Sequence, residues 1–433
     1  MELCVIILFC LSLVICILSD SSILIALAFG LCLFWIYGLK KGFTPLNLLK
    51  MTFTGINTVK NILITFVLIG IMTALWREAG TIAVIVSTAS KLISPPVFLL
   101  AAFLLCCFVS FLTGTAFGTA ATMGVICSTM AVSLGISPLF TGGAILAGSY
   151  FGDRCSPIST SAILVSTLTK SDLFCNLKNM ARSAVVPFLL SCVLYGFLGK
   201  TFSANGRIPD LTGIFSRGFE MELVCVLPAL LILVLSLLKV NVKITMGASI
   251  LCAVPICILL QGSDAVSLPH LAVFGYTSQD TQIASMMNGG GIVSMLKPMC
   301  IVCLSSSYSD IFRKTGLLNG AKSAVNAVSA KTNSYIAALL TSAVTGMIAC
   351  NQTLSIMLTH QLCSDTEKDN SRLALNIEDS AVVTASLVPW SIASSVALSA
   401  VSCPQTSIAF GFFLYLLPLW RVVQSLIFKR KHS

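Results

Sequence analysis

Charge is scarce in this chain: only 10% of its 433 residues are Asp, Glu, Lys or Arg, against about a quarter in an ordinary soluble domain. So few charges cannot cover the surface of a globule in water. Histidine is scarcer, with three in all: His270, His360 and His432. Cys300 and Cys303 form the spacing C-x-x-C, but no second Cys or His pair joins them, which argues against a zinc or redox centre. Most of the 18 cysteines lie inside apolar runs, where Cys behaves as a small hydrophobe, so disulfides are not expected. The Gly289-Gly290-Gly291 run lacks the Gly-Lys-Ser/Thr of a phosphate-binding loop and reads as a hinge or tight turn. A basic leader is also missing: the chain starts Met1-Glu2, and its first apolar run passes through "SDSS" (19 to 22) into a second, so a transmembrane hairpin over 3–39 is expected.

What the chain has in abundance is apolar length. Its residues are 56% hydrophobic and its mean hydropathy is +0.97. Runs such as "NILITFVLIGIMTALW" (61 to 76), "PPVFLLAAFLLCCFVSFL" (95 to 112) and "MELVCVLPALLILVLSLL" (221 to 238) recur, each close to the roughly 20 residues a helix needs to cross a bilayer. An all-α membrane protein with ten to thirteen transmembrane helices is expected. The formal net charge of +10 does not point to nucleic acid, because the basic residues are dispersed at the ends of apolar runs. Lys40-Lys41, Lys239, Lys243, Arg313-Lys314 and "KRKH" (429 to 432) follow the positive-inside pattern. A multi-pass protein of the cell membrane, with a cytoplasmic C-terminus, is therefore expected.

Three short correspondences point to an internal repeat. "ALWREAG" (74 to 80) pairs with "DIFRKTG" (310 to 316), and "SFLTGTAFGTAATMGVI" (110 to 126) with "TSAVTGMIACNQTLSIML" (341 to 358). "GDRCSPIST" (152 to 160) pairs with "EDSAVVTASLVPWSIASS" (378 to 395). The organisation read from them is an N-terminal hairpin and linker over 1–59, a first repeat over 60–200, connecting loops and helices over 201–290, and a second repeat with a basic tail over 291–433. The polar loop at 200–218 is the expected boundary.

Chemistry should lie where helices are interrupted. Gly114, Gly118 and Gly124 alternate with Thr113, Thr115, Thr119 and Thr122, a composition that allows a helix to unwind while hydroxyls and freed carbonyls replace ion hydration. Close helix packing is the competing explanation for so many small residues. The matching stretch of the second half carries Asn351 and Gln352, which are costly to bury alone. Gly114, Gly118 and Pro157, with Gly346 and Pro389 in the second half, are the candidate break points. Within "GSYFGDRCSPISTSAIL" (148 to 164), Asp153 is the leading functional residue, because an acid inside a transmembrane segment marks an ion, proton or substrate pathway. Ser156, Ser159 and Thr160 place neutral oxygens beside it, a hard-cation environment in which Asp153 is the candidate Na+ ligand. The competing reading puts Asp153 in a surface loop, paired with Arg154 or capping a helix. Glu378 and Asp379 lie within the polar stretch "CSDTEKDNSRLALNIEDS" (363 to 380), where water could hold them, and a direct role for at least one is expected.

Together "LWREAGTIAVIV", "GSYFGDRCSPISTSA", "FRKTGLL", "NQTLSIML" and "IEDSAVVTASLVPWSIAS" resemble the NhaC-type sodium/proton antiporter family, a branch of the ion transporter superfamily, over about residues 60 to 400. The resemblance implies secondary transport by two inverted-topology repeats with broken or re-entrant helical hairpins, exchanging protons for Na+ by alternating access. It carries the family's Gly-Asp acid onto Asp153, its Ser-Pro onto Ser156-Pro157, its Glu-Asp onto Glu378-Asp379 and its Pro-Trp onto Pro389-Trp390. Thr160 and Asn351 stand where many members have acids, and Ser391 where an Asn commonly follows Pro-Trp.

Those departures keep a second reading open, a Na+- or H+-coupled carrier of an amino acid or organic acid. A passive channel is a lesser alternative. An enzyme is not expected, since Gly152-Asp153 supplies only half of an intramembrane aspartyl pair and no Tyr-Asp exists in the chain. The partners expected are Na+ and H+ or a small organic solute, and the lipid bilayer. No cofactor is expected, and a homodimer is left open.

Overall fold

A computed structural model describes residues 2–19, 21–92, 94–157, 159–202, 211–238, 240–315 and 321–432. Residues 203–210 of the expected boundary loop, Gly316 to Leu318 of the second Arg motif, Ile158 and Lys239 lie outside the described residues. Among the described residues every regular element is helical, and the one β-bridge, Tyr276 with Gly289, is isolated.

Large hydrophobic side chains face outward as well as inward. The Pro95–Thr113 helix buries Phe98, Leu99, Phe103 and Cys106 and turns Phe108 and Phe111 outward. Phe108 is 62% exposed, and Val193 and Phe197 on the helix that starts at Leu173 are 67% and 66% exposed. In water such a surface would aggregate; in a bilayer it faces its natural solvent. This is an all-α membrane protein. Four helices, Lys60–Glu78, Pro95–Thr113, Ala116–Ser133 and Leu173–Thr201, are long and apolar enough to cross a membrane. A bent pair, Asn370–Leu387 with Ile392–Ala400, makes a fifth candidate, and seven more apolar helices are 10 to 17 residues long. The expected ten to thirteen spans thus resolve largely into short and interrupted helices.

At the centre runs the Pro138–Cys155 helix, buried on nearly every side. Its small residues explain how. A Cβ at Gly148 would stand 2.6 Å from the Phe103 carbonyl oxygen, and one at Gly152 would stand 2.3 Å from the Phe111 nitrogen. On another side a Cβ at Gly143 would stand 2.6 Å from the Phe410 carbonyl. Glycine spaced by four residues lets backbones touch, so this helix is clamped by neighbours at main-chain distance.

Four interruptions organise the interior, and they fall into two matched pairs. The Pro95–Thr113 helix ends at Gly114, with φ 64 and ψ 28, and the extended Thr115 caps the next helix. The Ser334–Ala349 helix ends at Cys350, with φ 53 and ψ 15, and the extended Asn351 caps Gln352–Cys363. Glycine meets no steric cost in that left-handed turn, whereas Cys350 bears about 1–2 kcal/mol. In the other pair, Pro138–Cys155 gives way to Ser156-Pro157 with Ser159 capping Thr160–Thr169. Ala381–Leu387 gives way to Val388-Pro389 with Ser391 capping Ile392–Ala400. A residue before Pro is driven to extended backbone, and Ser156 (ψ 136) and Val388 (ψ 114) both comply.

These breaks correct the expected correspondence between the halves. Gly346 is not a break point: it lies inside the continuous Ser334–Ala349 helix, one turn before the interruption at Cys350. With Cys350 in that role, Trp76 precedes Gly114 by the same number of residues as Phe312 precedes Cys350. Gly118 likewise sits beyond its break, inside the short Ala116–Thr119 helix that runs on through a π-helical turn at Ala120–Gly124. The Gly289–Gly291 run is a tight turn, with φ of 125, 78 and 79, leading into Gly291–Ser294.

Candidate functional site

Asp153 sits in the last turn of the Pro138–Cys155 helix and is buried, with 4% of its surface exposed. The Pro157 break stops that helix and returns the chain through Ser159, whose hydroxyl donates to Asp153 Oδ1 at 3.2 Å. The Ser161 hydroxyl reaches Oδ2 at 3.4 Å, and Gln352 Nε2, from the second half, reaches the same oxygen at 3.5 Å. Gln352 is itself oriented by donating to the Val382 carbonyl at 3.1 Å. Every one of these partners is neutral. A carboxylate so placed keeps its charge uncompensated, which is the condition under which a cation or a proton can fill the role.

Beside it lies a second acidic group built differently. Arg154, fully buried, turns away from Asp153 and pairs with Asp379, and its Nη2 also meets Ser183 Oγ at 2.9 Å. Arg421 Nε stands 2.6 Å from the other Asp379 oxygen, an ion contact not aligned as a hydrogen bond. Ser183 donates to Asp379 Oδ1 at 3.2 Å, and the Tyr335 hydroxyl donates to the Asp379 carbonyl at 3.0 Å. Tyr335 also stacks under the Arg421 guanidinium, 5.1 Å from its centre. Glu378, adjacent in sequence and equally buried, has neither carboxylate oxygen hydrogen-bonded, and it feels the charges of Arg154, Asp379 and Asp153. Asp379 is thus bracketed by two arginines, Glu378 makes no ion pair or hydrogen bond among the described residues, and Asp153 meets neutral hydroxyls and an amide.

The placement of the other expected residues divides them. Ser156 is buried at the C-terminal end of the Asp153 helix, while Ser159 is part of the cluster. Thr160 does not join: it is exposed on the first turn of its helix, and the hydroxyl that reaches Asp153 is that of Ser161. Thr115 and Asn351 spend their side chains on helix capping, Thr115 accepting from the Gly118 N–H and Asn351 from the Thr353 and Leu354 N–H groups. Thr119 is buried, its hydroxyl on the Thr115 carbonyl and 3.3 Å from that of Thr113. Ser391 is a buried cap. Ser391 itself makes no hydrogen bond with the cluster among the described residues; the two residues after it tie its helix to the neighbouring elements, Ile392 N–H donating to the Cys350 carbonyl at 2.8 Å and the Ala393 carbonyl accepting from the Tyr150 hydroxyl at 2.9 Å. Glu378 and Asp379 are buried rather than held in a watery loop. Asp153 is neither in a surface loop nor paired with Arg154.

Among the described residues no group of three or more His, Cys, Asp or Glu is arranged to hold a metal ion. A hard monovalent cation held by one carboxylate and hydroxyl oxygens is the chemistry that the Asp153 cluster can provide. Sequence reasoning missed Arg421, Tyr335 and Ser183. Arg421 was findable, as a charge set within the apolar run "SIAFGFFLYLLPLW" and "VVQSLIF"; Ser183 and Tyr335 carry no signal that separates them from other helical residues.

Comparison with known proteins gives a consistent result. A family model described as the Na+/H+ antiporter family matches residues 2–200 and 150–423. The malate-2H+/Na+-lactate antiporter of Bacillus subtilis (strain 168) is 25% identical over 384 residues, covering 86% of this chain and 82% of that protein. The Na+/H+ antiporter NhaC of Alkalihalophilus pseudofirmus is 25% identical over 369 residues, 82% of this chain and 79% of its own. NhaC of Bacillus subtilis is 26% identical over 392 residues, with 87% and 86% covered.

Proposed function

The chain belongs to the Na+/H+ antiporter family, and from that premise we propose that it exchanges protons for Na+ by alternating access, with Asp153 as the carboxylate that the two ions share. The observation that carries this reading is a buried carboxylate whose partners, Ser159, Ser161 and Gln352, are all neutral. Na+ bound there takes the carboxylate and the two hydroxyls as ligands. A proton on the carboxylate removes the charge that holds the ion, so the two cargoes exclude each other and one site couples them. The helix breaks at Ser156-Pro157 and Cys350-Asn351 bring ligands from both halves to it.

The matched backbone of the two pairs of breaks supports two related halves, 60–200 and 291–433, joined by 201–290 and preceded by the 1–59 hairpin. Inverted topology would let them rock against each other around Asp153. The dispersed basic residues support a cell-membrane protein with a cytoplasmic C-terminus. The reading is tested in proteoliposomes that hold a pH gradient. Na+ added alone should drive proton movement, and Asp153→Asn should insert normally yet abolish it.

A second reading, a Na+- or H+-coupled carrier of an organic acid or amino acid, is favoured by one relative whose name includes malate and lactate, and by neutral residues at Thr160 and Asn351. Offering Na+, K+ and Li+, then dicarboxylates and amino acids, separates the two. Uptake of an organic solute that demands Na+ or H+, with no exchange in its absence, would replace the antiporter reading.

A further inference from the structure

Arg77 is a buried cation outside the Asp153 cluster. It lies in the last turn of the Lys60–Glu78 helix with 9% of its surface exposed. Its Nη1 donates to the Thr73 carbonyl at 3.2 Å, its Nε has no acceptor, and among the described residues no acid pairs with it. Gly290 covers it closely: a Cβ there would stand 2.9 Å from Nη1, and the backbone has a φ of 78 that glycine tolerates. A guanidinium taken from water and left without an anion is costly, so its retention calls for a partner.

Arg77 lines a cavity of about 140 Å³ that has no acid in its wall. Asn288 and Ser402 supply further donors there. The Asn288 Oδ1 accepts the Ser278 N–H at 2.8 Å, which turns its amide NH2 outward from that bond. Ser402 holds a left-handed φ of 54, a strained conformation for a residue with a side chain. Val125, Val132, Pro138 and Val401 add apolar surface, and the hydroxyls of Ser128 and Thr129, also in the lining, are spent on the Val125 carbonyl. One guanidinium, two neutral donors and several apolar side chains fit a carboxylate on a short carbon chain better than an inorganic anion.

We propose that this cavity is a binding site for a small organic carboxylate, held by Arg77, the Asn288 amide and the Ser402 hydroxyl. It is separate from Asp153. Pro138 and Asp153 stand at opposite ends of one helix, about 22 Å apart at 1.5 Å per residue. Ala400 likewise ends the helix whose first turn meets Tyr150 beside Asp153. The proposal rests on Arg77 and its cavity and not on the exchange reading.

The experiment is thermal stabilisation of the purified full-length protein in nanodiscs, titrated with sodium succinate, sodium acetate and sodium chloride at constant Na+ and pH. Saturable stabilisation by succinate or acetate but not by chloride is expected. Arg77→Gln should weaken it about tenfold or more, as loss of a charged hydrogen-bonding partner does. Asn288→Asp, which puts a negative charge in the wall without emptying a buried site, should abolish it and keeps the test valid if Arg77→Gln does not fold. Asp153→Asn should bind succinate as the wild type does even where Na+-driven proton flux is lost, which separates this site from the exchange reading. Absence of saturable stabilisation, equal stabilisation by chloride, or undiminished binding in Asn288→Asp would each overturn the proposal.

Discussion

Asp153 and Asp379 are the same side chain, both buried, and held by opposite means. Asp379 lies between two arginines, Arg154 and Arg421, with Ser183 on one oxygen; Asp153 meets only hydroxyls and an amide. A carboxylate between two cations has its charge cancelled whether or not cargo is present. One among neutral donors does not, and its charge is available to something that comes and goes. The comparison separates a carboxylate that two arginines hold from the one we propose as the transport group.

The largest effect on stability should come from breaking the clamp. Asp379→Ala leaves the fully buried Arg154 as an uncompensated charge and takes the carboxylate from the partly exposed Arg421, and the loss should be about 3–5 kcal/mol. Fluorescence-detected size exclusion of the detergent-solubilised protein reads this as collapse of the monodisperse peak; a normal peak would show that the two arginines do not depend on it. Next is Gly152→Ala, whose new Cβ would fall 2.3 Å from the Phe111 nitrogen and push the Asp153 helix off Pro95–Thr113. Overpacking of this kind costs about 1–3 kcal/mol, visible as a lowered Tm with Na+-driven flux reduced in parallel. Ser159→Ala removes a helix cap and an Asp153 partner together. The cap alone is worth about 0.5–2 kcal/mol, and the apparent Na+ affinity in a flux titration should fall as well. At the small end, Thr160→Val on the exposed neighbour should change stability by less than about 0.5 kcal/mol and leave flux unaltered. A clear loss of Na+ affinity in Thr160→Val would place the cluster on the wrong face of the turn.

Much of this was legible in the chain before any coordinates. Apolar run length marked the helical membrane class, and the rule that an intramembrane acid is functional singled out Asp153. Proline and glycine marked three of the four breaks, because each acts locally on its own backbone. The fourth was hidden: Cys350 adopts a left-handed turn that its side chain disfavours, so the more obvious Gly346 drew attention four residues too early. Thr160 and Ser161 illustrate a different limit. Adjacent hydroxyls on a first helical turn differ by about 100° in direction, and only the entry angle after Pro157 decides which one meets Asp153. The Arg154–Asp379–Arg421 group joins three distant segments through contacts that leave no periodic trace.

The most direct test of the comparison sets Asp153→Asn in proteoliposomes, with a pH indicator inside and a Na+ gradient imposed from outside, beside the wild type. The account predicts a variant that folds and elutes as the wild type does, because an amide satisfies the same neutral neighbours, and that gives no proton movement when Na+ is added. A variant of Asp153 that moves protons in response to Na+ at the wild-type rate would contradict it.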